Sequence, residues 1–191
     1  PVAYQGMLGS YSQQAIDAFA HTHDINFKAV STSNFKELFD AIVGEVGLGL
    51  VPIENSTAGS VVECYDKFLD YDVEIIAEYL LPIHHCLLAR EDTKFSHINK
   101  VYSHPQALAQ CSQYLEHQSF TTVPVLDTAG SAQRVSQSKE EGVAAIASAY
   151  AAEHYGLRIL KRNIQNIREN VTRFLLVKRK GKRYGFEREL P

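Results

Sequence analysis

The chain has 191 residues, of which 45% are hydrophobic and 21% are charged, and its formal net charge is -3. This balance is typical of a globular protein with a full core, and it excludes a basic surface that would recruit nucleic acid or an anionic membrane. No apolar run reaches the roughly 18 residues of a membrane span, and the N-terminus lacks a signal-peptide pattern. The three cysteines form no C-x-x-C pair. We therefore expect reduced thiols, a cytoplasmic protein and a small molecule or another protein as partner.

Short β-branched runs alternate with segments of helical spacing, which predicts an α/β protein with mostly parallel strands. In the first half, this pattern predicts strands at 2–4, 26–31 and 47–53 and helices at 10–21, 34–43 and 59–71. The apolar stretch 73–89 is predicted to hold one strand that leads into a second lobe, with His84 and His85 interrupting its apolar face.

The second half repeats this rhythm. The predicted strands are 100–103, 120–125, 143–147, 157–160 and 171–177, and the predicted helices are 105–117, 128–138 and a third that Ser148 caps and Gly156 ends. The two similar halves predict two lobes with a cleft between them, the first formed by about 1–80 plus 166–191 and the second by about 81–165. Ligands of open α/β sheets bind at the carboxyl ends of strands, so the segments after strands are the candidate sites.

Two polar segments follow strands in the first half. The segment 5–12 contains Gly9 and Ser10, which could offer backbone N–H groups to an anion or could simply form a tight turn and a helix cap. The segment 51–60 contains Glu54, Asn55, Ser56 and Thr57 between a strand and a helix. It is predicted to bind carboxylates, and the alternative is a capping loop with Glu54 in solvent.

A third polar segment follows the strand 100–103. Ser103 and His104 precede a helix on which Gln106 and Gln110, four residues apart, share one face. His104 could act as an acid or a donor, or could be structural. His84 and His85 point to opposite faces of a strand, so they do not share a metal ion, and we interpret them as packing residues in the core and at the hinge.

Two polar residues, Thr172 and Arg173, open a strand that is otherwise apolar. An arginine beside a cleft can bind a carboxylate through two hydrogen bonds, and a threonine hydroxyl can donate to a leaving oxygen. The alternative is that both point into solvent from an edge strand.

Together these segments resemble the prephenate dehydratase family over essentially the whole chain. The matching segments are 5–12, 52–56 through Gly59, 103–106 through Gln110, 127–129, 145–148 and 172–174. The resemblance implies two lobes of mixed sheet flanked by helices, similar to type II periplasmic binding proteins, with an interlobe cleft. It also implies a carbon–oxygen lyase of L-phenylalanine biosynthesis that converts prephenate to phenylpyruvate, water and carbon dioxide with no cofactor and no metal.

The resemblance assigns roles to individual residues. Thr172 would donate to the leaving C4 hydroxyl, with Arg173 and Glu54 as further catalytic residues, although Glu54 could instead shape the site or tune Thr172, because a carboxylate repels a dianionic substrate. The two carboxylates and the ring hydroxyl would be held by Arg173, Asn55, Ser56, Ser103 and Gln110. The remaining predicted substrate-binding residues are Thr57, His104, Gln106, Phe174, Gly9 and Ser10.

Family members usually continue into a regulatory ACT domain that binds phenylalanine, so we expect such a domain to be missing from this chain and to follow it in a longer protein. We also expect a homo-oligomer, because symmetric dimers are the commonest assemblies. Two alternatives stay open: an arogenate dehydratase, which acts on the transaminated substrate, and a non-catalytic module that binds small carboxylates.

Overall fold

The computed structural model describes residues 1–190. The chain divides into two compact units. Unit 1 consists of Pro1–Gly6, Ser12–Pro82 and the chain from Val171 onward, and unit 2 consists of Met7–Tyr11 and Ile83–Asn170. Each unit contains one β-sheet with helices against it.

Strands and helices are numbered in chain order. The strands are β1 Val2–Gln5, β2 Ala29–Thr32, β3 Leu48–Asn55, β4 Gly59–Ser60, β5 Val73–Pro82, β6 Cys86–Ala89, β7 Lys100–Ser103, β8 Thr121–Pro124, β9 Val143–Ala147, β10 Arg158–Lys161 and β11 Val171–Arg179. The α-helices are α1 Tyr11–Thr22, α2 Phe35–Val43, α3 Val62–Asp70, α4 Pro105–Gln110, α5 Ser112–Glu116, α6 Thr128–Gln137 and α7 Ala149–Tyr155. Two 3₁₀ turns lie at Phe95–His97 and Gly185–Glu189.

The sheet of unit 1 has the strand order β2-β1-β3-β11-β5, with β4 paired to β3. Strand β1 runs parallel to β2 and β3, whereas β11 runs antiparallel to both β3 and β5. Leu38, Phe39 and Ile42 of α2 pack on one face of this sheet, and Phe19 of α1 lies edge-on to Tyr79 of β5. Apolar residues three and four apart on α2 therefore form the stripe that covers the sheet.

The sheet of unit 2 has the strand order β10-β6-β9-β7-β8. Strand β7 runs parallel to β8 and β9, and β6 runs antiparallel to β9 and β10. Helices α6 and α7 cover one face through Ala132, Val135 and Ala151, and Ala107 and Cys111 cover the other. All five residues of β9 are buried, as expected for a strand with helices on both faces.

The structure confirms an α/β fold of two mixed sheets flanked by helices, but it corrects three details. The strands are not mostly parallel, because β5, β6, β10 and β11 all make antiparallel pairs. The stretch 73–89 holds two strands in different sheets. Pro82, which has no N–H for a strand ladder, ends the first of them.

The third correction concerns two predicted helices. The region 105–117 is two short helices, because Cys111 leaves the helical conformation with φ -112° and ψ 14° while its side chain is fully buried. The region 59–71 begins with the short strand β4, and its helix starts only at Val62.

Candidate functional site

Strand β3 contains a β-bulge near its carboxyl end. Arg173 of β11 pairs with Glu54, whereas the next residue, Phe174, pairs with Pro52, so Ile53 has no partner across the ladder. An extra residue of this kind turns the side chains that follow it to the opposite face of the sheet. The side chains at the polar end of β3 therefore lie on the opposite faces of the sheet from those that strict alternation with its apolar part would give.

The bulge determines on which face of the sheet the Asn55 side chain lies. In strict alternation Asn55 would lie on the face of Val51 and Ile53, which packs against α2 and α3. Instead Asn55 pairs with Thr172 across the ladder, and paired residues share a face. The bulge thus brings an amide and a hydroxyl together at the end of β3 and the beginning of β11.

The Asn55 amide has a fixed orientation. Its Oδ1 accepts hydrogen bonds from the backbone N–H of Thr57 at 3.1 Å and of Ala58 at 3.0 Å, and from the Thr57 hydroxyl at 2.8 Å. Backbone N–H groups only donate, so the atom that they contact is the amide oxygen. The other atom, Nδ2, therefore donates to Thr172 Oγ1 at 3.0 Å and to the Val171 carbonyl at 3.3 Å.

This direction leaves the hydrogen of the Thr172 hydroxyl for another acceptor. A hydroxyl has one donor hydrogen and two acceptor lone pairs, and the Asn55 bond uses a lone pair. Thr172 is partly exposed. The arrangement can therefore donate a hydrogen bond from Thr172 Oγ1 to a bound molecule.

Ser56 joins the loop after β3 to the start of β11. Its backbone N–H donates to the Val171 carbonyl at 2.9 Å, and its Oγ accepts from the Val171 N–H at 2.9 Å. Together with the Thr57 bonds to Asn55, this pair fixes the loop beside Thr172. Of the predicted unit 1 residues, the structure brings together Asn55, Ser56, Thr57 and Thr172.

Arg173 and Glu54 lie on the other face, because neighbouring strand residues alternate. Arg173 Nε donates to Glu78 Oε2 at 2.6 Å, and the two side chains are 44% and 48% exposed. Exposed ion pairs of this kind contribute only about 0 to 1 kcal/mol, so the guanidinium can exchange its partner at low cost. Glu54 is exposed, and Phe174, on the Thr172 face, is buried in the core.

In unit 2, Ser103, His104 and Gln106 lie where β7 leads into α4. Ser103 is fully buried and its Oγ donates to the Ile146 carbonyl at 2.6 Å. His104 caps α4, with Nδ1 accepting from the backbone N–H of Gln106 at 3.1 Å, so its Nε2 carries the hydrogen when the ring is neutral. The Gln106 side chain is exposed.

Gly9 and Ser10 lie in the turn before α1. Gly9 adopts φ +84°, and a Cβ there would come within 3.0 Å of the Tyr155 ring, so the position requires glycine for two reasons. The Ser10 N–H donates to the Met7 carbonyl at 3.1 Å, and Tyr155 donates its hydroxyl to the Leu8 carbonyl at 2.5 Å. These bonds hold the turn within unit 2.

Gln110 belongs to a buried hydrogen-bond network that the sequence did not predict. Its Oε1 contacts His85 Nε2 at 2.7 Å and accepts from Asn170 Nδ2 at 3.1 Å. The other ring nitrogen of His85, Nδ1, lies 2.7 Å from the Tyr11 hydroxyl, and the backbone N–H of His85 donates to Gln165 Oε1 at 2.9 Å. His85 is 2% exposed and Asn170 is fully buried.

Burial determines the protonation of this network. It lowers the pKa of His85, against a smaller opposing effect of the Gln110 hydrogen bond, so the imidazole is neutral at pH 7. Burial raises the pKa of Tyr11 well above its ordinary value, so the phenol keeps its hydrogen. Two sequence signals fell on the network: Gln110, which was predicted to bind substrate, and the pair of adjacent histidines, of which the structure buries His85 and exposes His84.

Two further properties of the described residues bear on the class of site. Within residues 1–190, no three His, Cys, Asp or Glu side chains are grouped so that they could hold a metal ion. In the same range, no helix is both long enough and apolar enough to cross a membrane. In unit 1, the polar groups beside Thr172 are amides and hydroxyls, which can donate hydrogen bonds to an oxygen-rich organic anion.

The family model for prephenate dehydratase matches residues 2–182. A prephenate dehydratase of Methanocaldococcus jannaschii is 39% identical over 182 residues, which are 95% of this chain and 65% of that protein. A protein named arogenate dehydratase/prephenate dehydratase 2, chloroplastic, from Arabidopsis thaliana is 40% identical over 179 residues, which are 93% of this chain and 46% of that protein. The chain thus spans about half to two thirds of the length of these relatives.

Two solved structures superpose closely on this chain, and a third shares only its fold. The prephenate dehydratase of Arthrobacter aurescens in complex with L-Phe superposes with a TM-score of 0.82 at 30% identity, over 96% of this chain and 63% of that one. A structure titled GqqA, a quorum quenching acylase, superposes with a TM-score of 0.83 at 28% identity, over 95% and 65%. The methionine binding protein MetQ, at 10% identity and a TM-score of 0.53 over 98% and 87%, shares the fold alone, which agrees with the expected similarity to binding proteins.

Proposed function

The chain belongs to the prephenate dehydratase family, and from this premise we propose that it converts prephenate to phenylpyruvate, water and carbon dioxide, as a carbon–oxygen lyase of L-phenylalanine biosynthesis. The observation that carries the proposal is the directed hydrogen bond from Asn55 to Thr172, which leaves the threonine hydroxyl as a donor.

The reaction requires few chemical steps from the protein's own groups. The bond from the ring to its carboxylate breaks, and its electron pair moves into the ring. The C4–oxygen bond breaks at the other end, and the leaving oxygen takes up a proton to become water. Because aromatisation drives these changes, the protein mainly has to orient the substrate and stabilise the charge that develops on the leaving oxygen.

Thr172 is suited to the second task. A threonine hydroxyl is a poor acid at neutral pH, so it acts by donating a hydrogen bond in the transition state and not by releasing its proton. The bond that its oxygen accepts from Asn55 polarises the hydroxyl and strengthens its donation. Asn55 is held in turn by two backbone N–H groups, so the donor is aimed before the substrate arrives.

Thr172→Val tests this role directly. We expect turnover to fall by roughly 100-fold or more, in line with the loss of one transition-state donor, while phenylpyruvate binding changes little. Thr172→Ser keeps a hydroxyl and should retain most activity. Thr22→Val, which removes an exposed hydroxyl bonded to the Ala18 carbonyl, is the matched control. Unchanged turnover of Thr172→Val would remove Thr172 from the mechanism.

We also propose roles for the remaining predicted site residues. Asn55, Ser56, Thr57, Ser103, His104, Gln106, Gln110, Gly9 and Ser10 are proposed to bind the substrate or to shape its site. Phe174 is proposed to act from the core, by positioning its strand. Arg173 and Glu54 lie on the face opposite to Thr172, so we propose that Arg173 meets a carboxylate only by leaving Glu78 and that Glu54 shapes the loop.

Two alternatives concern the substrate. Arogenate carries an amino group where prephenate carries a keto group, and relatives of both names resemble this chain equally well. A non-catalytic binding module would bind prephenate without forming phenylpyruvate. Formation of phenylpyruvate from prephenate distinguishes an enzyme from a binding module. The ratio of the turnover of prephenate to that of arogenate distinguishes a prephenate dehydratase from an arogenate dehydratase.

We propose further that the protein is a cytoplasmic homo-oligomer controlled by phenylalanine through an ACT domain of the full-length chain. The three buried, unpaired cysteines support a reducing compartment. The match to only 63% of a chain solved with L-Phe supports a further domain. Light scattering and L-Phe titration of the full-length protein test both points, since a monomer or a protein that ignores L-Phe would contradict them.

A further inference from the structure

We propose that Thr57 is a positioning residue, which acts through the Asn55 amide to strengthen the hydrogen bond that Thr172 donates to the leaving oxygen. The proposal rests on the proposed function, because that function gives Thr172 an oxygen to which it donates. All the residues that carry the proposal lie in unit 1.

Both hydrogen-bond donors of Thr57 are directed at one atom. Its hydroxyl donates to Asn55 Oδ1 at 2.8 Å, and its backbone N–H donates to the same oxygen at 3.1 Å. A hydroxyl and a backbone amide have one hydrogen each. The carboxylates of prephenate accept hydrogen bonds, so they need a donor hydrogen that Thr57 has already given to Asn55. This geometry favours a role through Asn55 over direct contact with a carboxylate.

The amide oxygen of Asn55 accepts three hydrogen bonds, of which the third comes from the backbone N–H of Ala58 at 3.0 Å. Each bond draws electron density toward the oxygen and leaves the hydrogens on Nδ2 more positive. Nδ2 in turn donates to Thr172 Oγ1 at 3.0 Å. Hydrogen bonds that follow one another in this way polarise each other, so the Thr57 hydroxyl makes the hydrogen of Thr172 a stronger donor.

The low exposure of Asn55 strengthens these bonds. Asn55 is 8% exposed, and its hydrogen bonds with Thr57 and Thr172 are both partly buried. A hydrogen bond is electrostatically stronger where water is excluded. Thr172, at the end of the series, is partly exposed, so its hydrogen is the one that can reach a bound molecule.

A role in orientation alone does not account for the Thr57 hydroxyl. The two backbone N–H groups already require that the oxygen of the Asn55 amide faces them, whatever side chain stands at position 57. A valine has nearly the same shape as a threonine and would fill the same space. What the hydroxyl adds is a third bond to the oxygen, and its effect is therefore expected on the transition state.

Thr57→Val in the intact chain removes the hydroxyl and keeps the shape of the side chain. It should lower kcat for prephenate about fivefold and change KM less than about twofold, because Thr172 acts on charge that develops only in the transition state. Thr57→Ser keeps a hydroxyl and should hold kcat within about twofold of the wild type. Thr32→Val, which removes a partly buried hydroxyl bonded to the Tyr4 carbonyl at 2.9 Å, is the matched control.

A double variant tests whether Thr57 acts through Thr172. In the Thr172→Val background, Thr57→Val should have no further effect on kcat, because the hydroxyl through which it acts is gone. The same fivefold loss in that background would overturn the proposal, and so would a wild-type kcat in Thr57→Val. A raised KM with unchanged kcat would also overturn it, because it would identify Thr57 as a substrate ligand.

Asn55→Asp tests the direction of the bonds without changing Thr57. The carboxylate keeps one oxygen for the three donors, but its second oxygen cannot donate and would take the hydrogen of Thr172. We expect kcat to fall roughly 100-fold, as for Thr172→Val, and a kcat within about fivefold of the wild type would overturn the proposal. Absence of phenylpyruvate formation by the wild type would instead overturn the proposed function.

Discussion

We expect the buried imidazole of His85 to lower the stability of the folded protein in acid, because burial lowers the pKa of this ring. Burial lowers the pKa of His85 in the folded protein, whereas the unfolded chain titrates at the ordinary histidine pKa of about 6.5. Above that pH, both states are neutral at this position and the favourable contribution of the buried ring is fully present. As the pH falls below it, the unfolded state takes up a proton that the folded state does not, and that contribution is lost toward the folded pKa.

His85→Gln removes this titration and so gives a measurable prediction. The free energy of unfolding of the wild type should fall relative to that of His85→Gln between pH 7 and pH 5, with a slope of at most about 1.4 kcal/mol per pH unit. Urea titrations of both proteins at several pH values measure it. A wild type that gains stability over the variant on acidification would show that His85 binds its proton more tightly when folded.

The sequence identified Thr172 and Asn55 as candidates, because polar residues beside apolar strands stand out in a linear pattern. It did not predict how the two interact. The direction of their hydrogen bond depends on the bulge at Ile53 and on two backbone N–H groups, neither of which leaves a residue-type signal. His85 was interpreted as a packing residue, since its partners Tyr11 and Gln110 are 74 and 25 residues away.

Hydrogen bonds at helix ends stabilise individual helices, and helix α2 is the clearest case. Asn34 Oδ1 accepts from the Glu37 N–H at 2.9 Å, and Glu37 Oε2 accepts from the Ser33 N–H at 2.9 Å, so two of the N–H groups at this helix start are bonded by side chains. In the first turn of the same helix, Lys36 pairs with Asp40 at 2.7 Å on the exposed surface. The cap and the ion pair lie on the same helix and can be compared directly.

Asn34→Ala should lower the free energy of unfolding by about 1 kcal/mol, because it leaves an N–H of the first turn without its partner. Lys36→Ala should lower it by only about 0.2 to 0.5 kcal/mol, as for other exposed pairs four residues apart. Urea unfolding at equal protein concentration measures both, and turnover should be unaffected. A larger loss for Lys36→Ala than for Asn34→Ala would contradict the assignment of the cap.

Helix ends were predictable from the chain where a residue type has a local reason to be there. Asn34 and Ser148 cap helices, Pro105 occupies a first turn, and Gly156 ends α7 with φ 64°. The divisions after Pro82 and at Cys111 were not predicted. In both places apolar residues recur beyond the division, at Ile83 and at Leu115, so the point where the chain changes direction depends on which sheet or core buries them.

At the scale of the whole molecule, the choice of substrate is the property to test first. We expect the chain to turn over prephenate faster than arogenate, because the proposed site supplies neutral donors to the substrate side chain. Rates of phenylpyruvate and phenylalanine formation, measured from the two substrates at equal concentration, decide it. Faster turnover of arogenate would identify the chain as an arogenate dehydratase with the same family chemistry.

The position of β11 has a consequence for the order in which the protein folds. Strand β11 lies between β3 and β5, and β5 pairs in the described chain with β11 alone. During synthesis the ribosome releases β5 some 90 residues before the strand that completes its sheet, whereas the segment Ile83–Asn170 of unit 2 emerges without interruption. During synthesis, unit 1 therefore has an unfinished sheet edge while most of unit 2 is already complete, and we expect the long-range pairing of β11 to be a late step of folding.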